Sequence, residues 1–351
     1  MSAVLQVRPL ALDQPAQVRA WDHYVRAQPQ ATFFHLSGWA RVVERVWGHR
    51  CTLLAAWREG QLVGVLPLGE IDSLLFGHSL SSMPFAVYGG AVGDDELVVQ
   101  ALEAAADALA QRLGADHLEL RHLQPQTRHR DSPQQDLYVT FRKALSADHE
   151  ANLLAIPRKQ RAMVRKGIAN GLRAEIDADA GRFFELFADN VHRHGTPAMP
   201  RAWFEGLLQE FGRDAEVLTV LAPDGRPVSS VLSFYFRDEV LPYYAGDDLA
   251  ARELAANDFK YWALMQHAVD RGARLFDYGR SKLGTGPYSF KKNWGFEPQA
   301  LSYAFRLYRG QDGVPQQNPN NPKYQALIQT WRRLPRAVVD RLGPWVVRSL
   351  G

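Results

Sequence analysis

The chain has 351 residues, 46% of them hydrophobic and 23% charged, so it is long enough for two ordinary globular domains and is not compositionally disordered. A formal net charge of +3 excludes a strongly polyanionic or polycationic protein, and only local charge can point to partners. The single cysteine, Cys51, excludes an intrachain disulfide and lies in an apolar run that reads as a structural thiol. The N-terminal stretch lacks the pattern of an export signal, and no run approaches the about 20 apolar residues of a membrane span. A cytoplasmic protein is expected, placed at most peripherally at the inner face of a membrane.

Helices are predicted first over 14–27 and 38–47. A turn at Glu59-Gly60 leads into a strand from Leu62 to Leu68. Then come Tyr88-Gly89-Gly90, a helix over 96–113 closed by Gly114, and a strand to Leu120. The same order returns later. Helices over 182–192 and 201–211 precede a turn at Asp224-Gly225, a strand from Val228 to Phe236 and Tyr243-Tyr244-Ala245-Gly246. A helix over 254–270 closed by Gly272 and a strand to Tyr278 complete it. Matching glycines are offset by roughly 160 residues, about one domain. The pattern predicts a mixed α/β fold built by internal duplication, with domains at 1–145 and 146–310. Residues 311–351 read as a Pro-, Asn- and Gln-rich linker and a basic helical tail. That tail carries six basic residues after Pro322 against one acid, Asp340, and either packs on the second domain or lies at an anionic membrane surface.

Between the repeats, Arg158-Lys159-Gln160-Arg161-Ala162-Met163-Val164-Arg165-Lys166 holds five basic residues in nine positions, with no acid between Glu150 and Glu175. With Pro157 opening a helix, Arg158, Arg161 and Arg165 share one face. Their mutual repulsion is relieved by an anion such as phosphate, or simply by solvent. A second dense segment runs from Asp277 through Arg280, Ser281 and Lys282 to Lys291 and Lys292. It lies at a strand end, where α/β proteins gather ligands. Its lysines could neutralise a pyrophosphate or a developing oxyanion, Asp277 could act as a base or orient one, and Tyr243 and Tyr244 could donate to an acyl group or pack. Glu119 is the repeat partner of Asp277, an arrangement equally suited to a structural acid. The eleven histidines show no metal-ligand spacing, and no metal is expected.

Several stretches together resemble the FemAB family: Phe33 to Trp39 (FFHLSGW), Leu80 to Gly90 (LSSMPFAVYGG), Ile156 to Gly167 (IPRKQRAMVRKG), His194 to Pro197 (HGTP), Leu241 to Tyr244 (LPYY), Phe276 to Lys282 (FDYGRSK) and Ser289 to Pro298 (SFKKNWGFEP). The likeness is closest to FemAB-like proteins associated with the XrtA/PEP-CTERM exosortase system. It implies two tandem GNAT-like domains and an acyl- or aminoacyltransferase acting on an amine of a cell-envelope, peptidoglycan or exopolysaccharide precursor. It places the substrate-facing region in the second domain, including Lys291 and Lys292. On these grounds Asp277 and Lys292 are the candidate catalytic residues. Arg158, Lys159, Arg161, Arg165, Tyr243, Tyr244, Arg280, Ser281, Lys282 and Lys291 are the candidates for substrate binding. No permanently bound cofactor is expected; the donor is aminoacyl-tRNA or acyl-CoA, and the acceptor is a phosphate-bearing glycan or lipid-linked precursor. One departure bears on the donor. Where a CoA-binding GNAT domain has a glycine-rich loop, this chain reads Asp247-Asp248-Leu249-Ala250-Ala251-Arg252-Glu253-Leu254-Ala255-Ala256, a poor pyrophosphate cradle. The rival function is a non-catalytic GNAT-fold protein that binds a phosphate-bearing glycan precursor.

Overall fold

The computed structural model describes residues 4–73, 77–129, 132–133, 137–308 and 322–349. In chain order the first elements are β1 (Leu5–Leu10), α1 (Pro15–Ala27), α2 (Ser37–Trp47), β2 (Cys51–Arg58), β3 (Gln61–Ser73), β4 (Gly77–Ser81), β5 (Val92–Gly93), α3 (Glu96–Leu113) and β6 (His117–His122). Next come β7 (Tyr138–Ala144), α4 (His149–Ala155), α5 (Arg158–Ala169), β8 (Arg173–Asp177), α6 (Gly181–Arg193), α7 (Arg201–Phe211), β9 (Ala215–Leu221), β10 (Pro227–Phe236) and β11 (Glu239–Asp247). The chain continues through α8 (Ala251–Leu254), α9 (Ala256–Asp270), β12 (Leu275–Asp277), β13 (Ser281–Lys282), α10 (Gly286–Asn293), β14 (Pro298–Ala300), β15 (Ser302–Leu307), α11 (Pro322–Arg333) and α12 (Arg336–Arg348). Most of the linker read from 311 lies outside the described residues.

Contacts divide the chain into two units. The first gathers Met1–Tyr138, Ala300–Gln316 and Arg348–Gly351; the second gathers Val139–Gln299 and Gln317–Val347. The first sheet has the order β1-β2-β3-β4-β6-β15, and the second contains β7-β12-β11-β10-β9-β8. Read from opposite ends, the two orders match strand for strand, with a helix pair after the first strand of each (α1 and α2, α6 and α7) and one long helix before the parallel strand (α3, α9). The duplication is therefore structural. β4 with β6 and β11 with β12 are parallel neighbours, one pair in each sheet.

The repeat hides an exchange. β7 lies within residues 1–145 yet pairs antiparallel with β12 of the second sheet, and β15 lies within 146–310 yet pairs antiparallel with β6 of the first. A strand's own apolar pattern says which face is buried, not which sheet edge it joins, so this swap has no local signature.

The central strands of each sheet are buried on both faces. In β2, Leu54 and Ala56 share a cluster with Val98 and Leu102 of α3, while the alternate Leu53 and Ala55 are also buried. In the second unit Phe141, Val220, Val240, Phe259, Trp262, Phe276 and Trp294 form one core. α3 and α9 both end where Gly114 and Gly272 adopt positive φ (72° and 89°), the left-handed closure expected there. The helix predicted over 254–270 differs in one respect. Ala255 stands at φ 58°, so a short α8 is offset from α9. Alanine is the best helix former, and nothing in the sequence marks that break.

The tail helix α12 packs on the second unit through one face. Val339, Gly343 and Val347 are buried, with Gly343 close to the Ala198 backbone, while Val338, Leu342 and Trp345 face solvent with Trp345 64% exposed. No described helix is long and apolar enough to cross a membrane.

α6 lies on β10 and β11 with its backbone in direct contact at Gly246, where a Cβ would sit 2.4 Å from the Phe187 nitrogen. Gly246→Ala therefore forces α6 off the sheet. It should cost on the order of 1–3 kcal/mol, read as a lower urea midpoint; an unchanged midpoint contradicts this packing.

Candidate functional site

The second sheet opens at its centre. β11 and β12 pair in parallel at only two positions, Glu239 with Leu275 and Val240 with Phe276. β12 then ends at Asp277 while β11 continues to Asp247. From Leu241 onward β11 has no strand partner on that side among the described residues. Opposite, the register with β10 slips between Leu232 and Ser233, which pair with Tyr244 and Pro242 and leave Tyr243 as the extra, bulged residue. A bulge bends its strand and re-aims side chains, so β11 is curved where its edge is free. Unpaired N–H and C=O groups along such an edge are ready partners for an extended ligand.

Tyr243 and Tyr244 pack rather than stand free. Their rings meet edge to face at 4.7 Å, and Tyr244 lies against Phe204 and Phe187. The Tyr244 hydroxyl accepts a hydrogen bond from Trp203 Nε1 at 3.1 Å, and burial pushes its phenol up.

The N-terminus of α9 is lined by acids. Asp247 Oδ1 accepts from Lys260 Nζ at 2.9 Å and from the Ser229 hydroxyl, and the Lys260 side chain is wholly buried. Asp258, in the first turn of α9, accepts from Trp294 Nε1 at 2.9 Å, and burial raises its carboxyl above the usual range. Asp247, balanced by Lys260, and Asp258, raised toward its neutral form, already fill the place where a helix dipole would attract a pyrophosphate.

The turn after β12 is held from within. Asp277 is 1% exposed; its Oδ1 accepts from the Gly279 N–H at 2.7 Å and the Thr140 hydroxyl at 3.2 Å, and its Oδ2 lies 3.2 Å from Arg142 Nε. Arg142 also reaches Glu239 Oε1 at 2.6 Å, and burial raises the Glu239 carboxyl with Arg142 opposing. In the first unit Glu119 is likewise bound by an arginine, Arg121, at 2.7 Å. An arginine-paired acid at this position is thus common to both repeats.

Lys291 donates to the carbonyls of Tyr278, Gly279 and Arg280 at 2.6, 3.0 and 3.2 Å, which engages its ammonium in shaping the turn. Burial lowers it to about 7, Asp277 opposing and Arg280 adding. Beside it, Arg280 is exposed, Lys282 is half-buried, and the buried Ser281 hydroxyl has no hydrogen-bond partner.

The structure brings Asp277, Arg280, Ser281, Lys282 and Lys291 together on this turn. Lys292 is on the exposed side of α10, and Arg158, Lys159 and Arg165 are exposed on α5, with Arg161 half-buried and donating to the Leu154 carbonyl. Pro157 is the residue before α5 rather than its first, and no side chain caps that helix. Among the described residues, Arg158, Lys159, Arg165 and Lys166 form no ion pair. Gly295, just past α10, lies against Pro157, where a Cβ would be 3.1 Å from Pro157 Cδ. The end of α10 that bears Lys291 and Lys292 therefore abuts the start of α5. An uncapped helix N-terminus carrying Arg158 and Lys159, next to a helix end carrying Lys292, brings together three exposed cations that form no ion pair among the described residues.

Sequence reasoning missed Lys260, Arg142, Glu239 and Asp258. Lys260 had a signal: Ala256, Lys260, Leu264 and Ala268 form one buried stripe of α9, and a lysine there needs a buried acid. Arg142 and Glu239 depend on strand pairings, and Asp258 on the packing of α9 against the end of α10, that only the fold supplies.

Residues 156–292 match the family model of the acetyltransferase (GNAT) domain. No curated protein matches the chain in sequence. Among solved structures the chain is similar to FemX, with a TM-score of 0.66 at 16% identity over 92% of this chain and 100% of that one. It is also similar to a tandem GNAT protein from the clavulanic acid biosynthesis pathway, with a TM-score of 0.58 at 14% identity over 88% and 100%. A third likeness is to the C-terminal domain of a putative lysylphosphatidylglycerol synthetase from Agrobacterium fabrum, with a TM-score of 0.57 at 14% identity over 85% and 98%. The two units form a tandem GNAT-like fold, and the matched domain holds the open sheet edge and the basic helix ends.

Because the folded chain releases the Lys291 proton near pH 7 while the unfolded chain keeps it to about 10.5, the unfolded state binds the extra proton between those values. Wild type should therefore gain stability over Lys291→Met as pH rises through that window. Urea midpoints of both proteins at pH 6, 7.5 and 9 check this; a constant difference contradicts it.

Proposed function

We propose that this chain is an N-acyltransferase that moves an acyl or aminoacyl group onto an amine of a phosphate-bearing cell-envelope or exopolysaccharide precursor. The observation that carries the reading is the junction of α5 and α10, where Arg158, Lys159 and Lys292 form no ion pair among the described residues, in the same GNAT-like unit as the open sheet edge. Phosphate is the anion best matched to exposed arginines at a helix N-terminus. The stretches that resemble the XrtA-associated proteins support an acceptor in the export of exopolysaccharide and surface protein.

In the reaction, the free edge of β11 holds the acyl donor extended, and the acceptor amine attacks the ester or thioester carbonyl. A C–N bond forms, the C–O or C–S bond breaks, and the ammonium proton passes to the leaving oxygen or sulfur. Backbone N–H groups and neighbouring cations stabilise the tetrahedral oxyanion. Asp277, with donors on both oxygens, orients Arg142 and the turn; the amine's proton goes to a group of the substrate. The acids at the α9 N-terminus disfavour the pyrophosphate of acetyl-CoA, which leaves aminoacyl-tRNA as the favoured donor.

One observation favours a second reading. Asp277, the candidate base, is 1% exposed, which suits a non-catalytic protein that binds a phosphate-bearing glycan precursor.

Single-turnover assays with charged tRNA and with acyl-CoA, each with a supplied amine acceptor, separate the two. Transfer from charged tRNA is expected. Binding without transfer from either donor leaves only the second reading. Arg158→Ala with Arg165→Ala should weaken the phosphate-bearing substrate by about tenfold or more and flatten the salt dependence of binding. A pair of variants with wild-type affinity at every salt concentration removes the basic junction from the account.

A further inference from the structure

The first unit contains a buried cluster that the proposed reaction does not use. Glu103 of α3, His122 at the end of β6, and His129 of a helical turn over 127–129 are 2%, 5% and 3% exposed. His129 Nε2 is 3.1 Å and His122 Nε2 3.5 Å from the same oxygen, Glu103 Oε1, and one ligand atom from each residue lies within 4.8 Å of the other two. The imidazoles stand 5.2 Å apart at 30°. His122 Nε2 is buried, points into this cluster and has no hydrogen-bond partner.

We infer that Glu103, His122 and His129 form a structural site for a divalent transition-metal ion, zinc being the best match. Two imidazoles and one carboxylate are a recurrent zinc donor set, completed to a tetrahedron by a water. Donors bound at about 2.0–2.1 Å in a tetrahedron stand about 3.3 Å from one another, and the two nitrogen-to-oxygen separations straddle that spacing. A buried imidazole nitrogen without a partner is costly, and an ion gives it one. Arg128 donates to Glu103 Oε1 through Nε at 3.0 Å and Nη2 at 2.8 Å. A carboxylate oxygen carries two lone pairs, so the guanidinium can stay as an outer partner through one of these N–H groups while the other lone pair turns to the ion on the side facing the imidazoles. Close burial of all three donors makes the ion structural, fastening the turn over 127–129 to α3 and β6. Nothing in the chain's histidine spacing announces the site, because its ligands come from three elements.

Cobalt(II) titration of the full chain tests it, since its ligand-field absorption reports coordination directly. We expect one equivalent per chain with the bands of a nitrogen- and oxygen-bound site, displaced by zinc, and a higher thermal midpoint when zinc is present. His122→Gln and Glu103→Gln should each weaken binding by at least about 100-fold, while Cys51→Ser leaves it unchanged. Wild-type protein that binds no cobalt, or binds it no better than His122→Gln, shows a hydrogen-bonded cluster only and overturns the inference. The wild-type titration decides the matter even if a variant fails to fold.

Discussion

A parallel pairing two residues long, Glu239 with Leu275 and Val240 with Phe276, governs the second unit. Had β12 continued beside β11, the sheet would close and its backbone groups would satisfy one another. Instead β12 stops at Asp277, whose carboxylate is drawn to the Gly279 N–H, Thr140 and Arg142. The bulge at Tyr243 bends β11 along the same stretch. A free strand edge inside a sheet is tolerable only because both faces are buried under helices and the edge itself can receive a ligand.

Charge is sorted around that opening. The acids Asp247 and Asp258 sit at the start of α9, with Lys260 buried against Asp247. Lys291 is directed inward to three carbonyls. What remains outward is cationic: Lys292 on α10, and Arg158, Lys159 and Arg165 on α5. Acids thus lie at the start of α9 and exposed cations on α5 and α10, and the proposed choice of donor rests on this asymmetry more than on any single side chain.

Much of the fold was legible because it follows from local chemistry. Gly114 and Gly272 closed helices where left-handed closure was needed, and the shared order of elements exposed the duplication. The strand exchange was not legible, since β7 and β15 carry ordinary strand patterns and their partners lie far along the chain. The break at Ala255 was hidden by the residue least expected to make one. At the site, the basic run of α5 was readable from composition, because no acid lies near it in sequence. The engagement of Lys291 was not, because its partners are backbone carbonyls, and backbone leaves no trace in residue type. The Glu103, His122 and His129 cluster was invisible for a related reason: a helix, a strand end and a turn each contribute one donor.

The central proposal is that the phosphate of the acceptor is held at the junction of α5 and α10 and that none is held at the start of α9. A crystal structure with a non-hydrolysable aminoacyl donor and a phosphate-bearing amine acceptor tests it most directly. The account predicts the acyl chain along Leu241 to Asp247 of β11, with the acceptor's phosphate density beside Arg158, Lys159 and Lys292. Phosphate density at the N-terminus of α9, displacing Asp247 from Lys260, would contradict it.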